Sequence, residues 1–165
     1  MLPLFQFCST KQQQLDTVKQ VNLQKYEGTW YEIARLPNRF EEGLKCITAK
    51  YKLRDDGRIT VINKGHKIEN SGETESVEGW AKMPNKKEPG KLKVTFFWPF
   101  FGKYWIIELD KDYQHALVGS PSRKYLWILS RNKNMDEETY TSLVNMAKDK
   151  GFKTSNLITT AHDCY

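Results

Sequence analysis

The side chains with reactive chemistry are few: Cys8, Cys46 and Cys164, the histidines His66, His115 and His162, and carboxylates in no catalytic spacing. No C-x-x-C pair and no Cys/His cluster is present, so the chain has no zinc motif. The histidines stand too far apart for H-E-x-x-H and belong to no triad pattern. Cys46 opens the run "CITAKYKL" and shares its phase with Thr48, Lys50 and Lys52. It should therefore face outward, away from any enclosed nucleophile site. Glu32 and Glu108 could form a carboxylate pair near one end of the fold, with structural hydrogen bonding favoured over acid/base work. Cys46 and Cys164 either bridge, tying the tail to the body in an oxidising compartment, or stay thiols beside Cys8. No catalytic residue, metal ligand or cofactor is assigned.

The elements that would hold these groups are strands. The 165 residues suit one domain. Aromatic residues are 13% of the chain, enough large rings to fill a core or line a cavity. The formal charge of +6 favours anionic partners such as fatty acids, phospholipid head groups or a membrane surface. The lysines form no basic tract and the aromatics alternate inward, which argues against nucleic acid. No stretch reaches the roughly 18 apolar residues of a spanning helix. The start, "MLPLFQFC" followed by "STKQQQ", reads as a clipped leader or an unstructured lead-in. Residues 1–20 are expected to be leader or disordered segment, and 21–165 the folded domain.

Eight short runs follow: "GTWYEIAR", "CITAKYKL", "ITVINKG", "SVEGWAKM", "KLKVTFF", "KYWIIELD", "HALVGS" and "YLWILSR". Alternation puts Leu92, Val94 and Phe96 on one face against Lys91, Lys93 and Thr95. "RDDGR" carries the Asp-Gly pair of a tight hairpin. "NMDEETYTSLVNMAKDKGF" is helical, with Tyr140, Leu143, Val144 and Ala147 on one face. Asn134 and Glu137 are its expected capping pair, and Gly151 its stop. "NLITT" would add a short last strand. Many short strands with one apolar face point to a sandwich or an up-and-down barrel. Small residues at interior-phase positions (Ala34, Ala49, Gly79, Ala81) favour a barrel with room inside.

"GTWYEIAR", "LRDDG", "VINKG", "HALV" and "YLWILSR" together resemble the lipocalin family, and within it the bacterial outer-membrane lipocalins and apolipoprotein D. The resemblance covers residues 20 to 160. It implies an all-β fold: an eight-stranded antiparallel up-and-down barrel with one C-terminal α-helix packed outside. It implies that Trp30 of the G-x-W motif and Arg131 form a barrel plug, with Gly28 letting the chain pass. It also implies a Cys46–Cys164 disulfide like that of apolipoprotein D. Two departures stand out: "LDKDY" keeps only Asp110 and Tyr113 of the second family motif, and Phe7 replaces the small residue expected before a lipidated cysteine at Cys8.

Alternation offers Ile47, Ala49, Tyr51, Val61, Asn63, Leu92, Val94, Phe96, Tyr125 and Trp127 as ligand-binding wall, together with Ala34. The family pattern adds Tyr104 and Ile106 and turns Trp105 outward. Asn63 is an amide among apolar neighbours, free to bind a ligand oxygen or a nearby tyrosine. Arg39, Phe40, Trp98, Phe100 and Phe101 should form a greasy, cationic rim. The expected function is binding and transport or storage of a small hydrophobic or amphiphilic ligand, a fatty acid or lysophospholipid. A lipocalin-derived enzyme acting on a lipid or isoprenoid is the alternative. The chain is expected in the periplasm or outer membrane if bacterial and otherwise secreted, associating with membrane, as a monomer or weak homodimer.

Overall fold

Period-two alternation becomes a closed barrel because each strand has one apolar face to bury and both edges to pair. The computed structural model describes residues 14–70 and 72–164. A short helix α1 (Leu23–Tyr26) leads into β1 (Gly28–Arg35), β2 (Leu44–Leu53), β3 (Ile59–Lys67) and β4 (Thr74–Lys82). Then come β5 (Lys91–Phe97), β6 (Phe100–Leu109), β7 (His115–Gly119) and β8 (Leu126–Ser130). The helix α2 (Glu137–Asp149) and a two-residue strand β9 (Ile158–Thr159) complete the chain. All the pairings are antiparallel, in the order β2-β3-β4-β5-β6-β7-β8-β1-β9, and a β1–β2 pairing closes the ring. This is the expected eight-stranded barrel with one added strand.

β1 changes partner along its length. Its first half pairs with β2, from Gly28↔Tyr51 to Tyr31↔Thr48. Its second half leaves β2 and takes β9 instead, Ala34↔Thr159 and Arg35↔Ile158. A bulge between Glu32 and Ala34, opposite β8, places one extra residue in β1. Ile33 and Ala34 both lie in the outer apolar cluster with Ile128, so Ala34 is not on the inner wall. The sequence reading assumed unbroken alternation, and a one-residue insertion reverses the phase of everything after it. Arg35, next to Ala34, thereby pairs across from inward-facing Trp127.

Two apolar clusters result. One fills the barrel, with Trp30, Tyr51, Val61, Leu92, Ile106 and Leu129. The other lies between the barrel wall and α2, with Ile107, Leu117, Leu126, Leu143, Ala147 and Phe152. Leu15 is buried in that second cluster, and Val18 N–H donates to the Ile106 carbonyl at 3.0 Å. Packed residues therefore occur inside the segment assigned to a leader, because an apolar side chain there joins the outer cluster. Cys8 lies outside the described residues. The cap of α2 also differs from expectation: Asp136, not Asn134, accepts from Thr139 N–H at 2.8 Å. A carboxylate at that position complements the helix dipole as well as the orphan amide. Gly151 ends the helix at φ +86°.

The end of the barrel at the start of β1 is sealed. Trp30 is fully buried, and its indole N–H donates to the Tyr26 carbonyl at 2.9 Å. The Arg131 guanidinium lies 4.0 Å over the indole. It also donates to the carbonyls of Lys25 (2.8 Å), Thr29 (3.1 Å) and Tyr113 (3.1 Å). Gly28 has φ +96°, and a Cβ there would stand 3.2 Å from Arg131 Nη1. Its missing side chain makes room for the guanidinium rather than for the indole. Asp110 shapes the adjacent turn by accepting from the amides of Asp112, Gln114 and His115.

Cys46 and Cys164 are bonded, with Cα atoms 6.1 Å apart and 118 positions apart in sequence. Cys46 sits at φ +51° beside the bulge that interrupts the β2–β3 register, facing outward to the tail.

Two stability measurements follow from these contacts. Non-reducing peptide mapping should recover a Cys46–Cys164 cross-link, and changing both residues to serine should cost roughly 2–5 kcal/mol for so long a loop. Trp30→Ala should cost about 3–5 kcal/mol in chemical denaturation, and Arg131→Met about 2 kcal/mol through its lost carbonyl bonds and ring contact. An unchanged denaturation midpoint for Arg131→Met would show that the guanidinium does not seal the barrel.

Candidate functional site

The barrel interior divides into a packed floor and an open cup. In the floor, Tyr26, Tyr51 and Tyr104 enclose a void with Val61, Ala81 and Leu92. Its volume is about 10 Å³, water-sized and far below the roughly 300 Å³ of a small-molecule pocket. Tyr104 Oη lies 2.8 Å from Tyr26 Oη and 2.8 Å from Tyr51 Oη. Burial pushes all three phenols well above the ordinary tyrosine range, so they stay protonated at neutral pH.

Above this floor the inner wall becomes accessible. Ala49, Asn63, Val94, Phe96, Tyr125 and Trp127 are each half-buried, and Val77, level with Asn63, is exposed. Tyr125 and Trp127 stack with ring centroids 5.9 Å apart. Ile47 is buried and packs with Leu44 over Gly65, against the space a Cβ would fill. Gly79 does not open space. A Cβ there would stand 2.6 Å from the Phe96 ring and 2.2 Å from the Thr95 carbonyl oxygen. The missing side chain lets β4 and β5 approach and seats Phe96, a packing role rather than a cavity-forming one. Tyr104 and Ile106 face the interior cluster, while Trp105 packs against the outer one.

A polar set absent from the sequence reading lies at the level where β1 leaves β2. Arg35 Nη1 donates to Glu32 Oε1 at 2.8 Å and to Thr160 Oγ1 at 3.2 Å, and Arg35 Nη2 donates to the Glu41 carbonyl at 2.9 Å. Trp127 Nε1 donates to the Glu41 carboxylate at 3.0 Å. Burial, and then the charge of Glu41, push the Glu32 carboxyl up to about 8. Arg35 stands between two carboxyl groups, Glu32 at 2.8 Å from Nη1 and Glu41 at 3.7 Å from Nε. Glu32 thus serves Arg35 and Thr160 rather than Glu108, which sits on β6, a strand not adjacent to β1. The bulge is the cause, since it turns Arg35 inward within reach of Glu32. An arginine closing an apolar run was the only hint available beforehand.

The mouth is formed by the β1–β2, β3–β4, β5–β6 and β7–β8 connections. Phe40, Phe97, Trp98 and Phe100 are 61%, 74%, 72% and 77% exposed. Arg39 lies over the Phe40 ring, its guanidinium carbon 5.3 Å from the centroid. Phe101 belongs to the outer wall instead, edge-on to Trp80 at 5.1 Å, because it alternates with Phe100. His162 is tied to the Glu32 carbonyl at 2.7 Å. Asp163 lies beside the disulfide, whose sulfurs are committed to each other.

The lipocalin-like domain family matches residues 21–162. The outer membrane lipoprotein Blc of Vibrio cholerae is 41% identical over 152 residues, covering 92% of this chain and 88% of that protein. Apolipoprotein D of Macaca fascicularis is 35% identical over 144 residues, covering 82% of this chain and 74% of that protein. Insecticyanin of the tobacco hornworm Manduca sexta superposes with a TM-score of 0.71 at 25% identity, covering 90% of this chain and 85% of that one. The sealed floor, the cup with its apolar mouth and this likeness along the whole barrel agree: the chain belongs to the lipocalin family, whose barrels bind and carry small hydrophobic ligands.

Proposed function

We propose that the protein carries a single-chain amphiphile, a fatty acid or a lysophospholipid, with its chain in the cup and its polar head at the mouth. The observation that carries this is the half-buried inner wall of Ala49, Val94, Phe96, Tyr125 and Trp127, opening between exposed aromatic loops. A chain that enters covers wall area at about 0.8 kcal/mol per methylene. The packed floor limits its depth unless the side chains there shift. Arg39 and the excess of cationic side chains suit an anionic or zwitterionic head.

The site is the inner wall set with Ala34 removed, because the bulge places that residue outside. The exposed Phe97, Trp98 and Phe100 at the β5–β6 turn are suited to the interface of a membrane, from which such a ligand would be drawn. The disulfide and the kinship with an outer membrane lipoprotein and apolipoprotein D support work outside the reducing cytoplasm, in a cell envelope or the extracellular space. Fractionation of the source cells checks that placement.

Calorimetric titration with saturated fatty acids of increasing length should show affinity rising about fourfold per methylene, then levelling when the cup is full. Ala49→Trp should abolish binding while leaving thermal unfolding little changed. Equal weak binding at every length, indifferent to Ala49→Trp, would place the ligand elsewhere. Separately, co-sedimentation with anionic vesicles should be lost when Trp98 and Phe100 are both changed to serine, and retention by that variant would show that the turn does not dock.

A further inference from the structure

The phenols of the floor pose a proton-count problem. Tyr26, Tyr51 and Tyr104 carry one hydroxyl proton each, and the hydroxyls form two mutual hydrogen bonds, both centred on Tyr104. However the two bonds are directed, one proton of the three is left over. If Tyr104 donates to one neighbour, that neighbour's own proton points onward. If both neighbours donate to Tyr104, its proton is the free one. No further acceptor for these hydroxyls is found among the described residues. The void borders all three rings, and the rest of its lining is apolar, with Ile59, Val61 and Leu92. Tyr26 and Tyr51 are almost fully buried and Tyr104 is half-buried, so bulk water is kept from the first two phenols. A donor left unsatisfied in an apolar enclosure is costly, and an acceptor oxygen that reaches it is favoured.

We infer that the tyrosine triad is a deep hydrogen-bond-donor subsite that receives an acceptor oxygen at the leading, apolar end of a ligand. This rests on the carrier reading above and narrows its ligand class. A plain alkyl tail pressed to the floor leaves the phenolic proton unmatched. A chain or ring system with a ketone or another neutral carbonyl at the buried end satisfies it. The phenols stay protonated at neutral pH and therefore donate. Removing one hydroxyl does not abolish the subsite: without that of Tyr26 or Tyr51, two phenols joined by one bond still leave one proton, and without that of Tyr104 two unjoined phenols leave two. Removing all three does, and replacing every member of a buried polar set by apolar groups of the same shape is nearly neutral for stability.

The test compares saturated fatty acids with analogues of equal length bearing a ketone on the penultimate carbon. Both series are titrated by calorimetry into the wild type and into the triple variant Tyr26→Phe, Tyr51→Phe, Tyr104→Phe. At the length where the chain reaches the floor, the wild type should prefer the keto acid by on the order of tenfold. The triple variant should lose that preference and bind the plain acid as well as the wild type or better. The carbonyl stretch of an isotopically labelled keto acid should fall in frequency on the wild type, a readout that stands even if the triple variant folds poorly. Binding of both series with no preference and an unshifted carbonyl overturns the triad and leaves the carrier reading intact. A preference that persists in the triple variant also overturns it. Binding of neither series defeats the carrier reading, and the triad with it.

Discussion

Everything in the barrel is referenced to the stacking of Arg131 on Trp30. One guanidinium meets the indole face at 4.0 Å and three backbone carbonyls from three separate segments. It thereby ties the lead-in to β1, β1 itself and the β6–β7 turn to the end of β8. A lysine could not do this, because the contact needs a planar cation with forked donors. The indole then forms the base on which Tyr26 rests, with ring centroids 5.0 Å apart. The height of the floor, and with it the depth left for a ligand, is set from this contact upward.

The second organising feature is the bulge in β1. Without it, Arg35 would point outward and β1 would stay paired with β2 along its whole length. With it, the strand turns away, β9 fills the gap, and an arginine enters the interior with two carboxylates to meet it. Buried ions of this kind add little stability against apolar replacements, because desolvation cancels most of the attraction. Their effect is positional: Glu41 holds Trp127 by its indole nitrogen, and so fixes the largest ring of the cup wall.

The outside of the barrel is held by a different force. The α2 helix offers Leu143 and Ala147 to a wall patch from β1, β6, β7 and β8, and Leu15 joins the same cluster. Apolar burial gives this layer its strength without directional bonds. The disulfide pins the end of the tail to β2, and the His162 contact with the Glu32 carbonyl anchors the tail over the split in the sheet. The mouth is left with aromatic tips that nothing among the described residues covers, while the opposite end is closed.

Much of this is legible in local pattern. Eight alternating runs, an Asp-Gly turn, a helical stripe ending at Gly151 and the G-x-W motif specify strands, hairpins, helix and barrel. Each depends on neighbours a few residues apart, where steric preference and burial act directly on sequence order. Tertiary structure alone decided the rest. A bulge adds one residue and inverts a phase, which no period-two count can detect. Whether Gly79 opens a hole or seats Phe96 depends on a ring from the next strand. The meeting of Tyr26, Tyr51 and Tyr104 joins residues 25 and 53 positions apart in the chain. Hydrogen bonds of that range exist only after closure has brought the strands together, so the chemistry of the floor is a property of the closed barrel and not of any segment of the sequence.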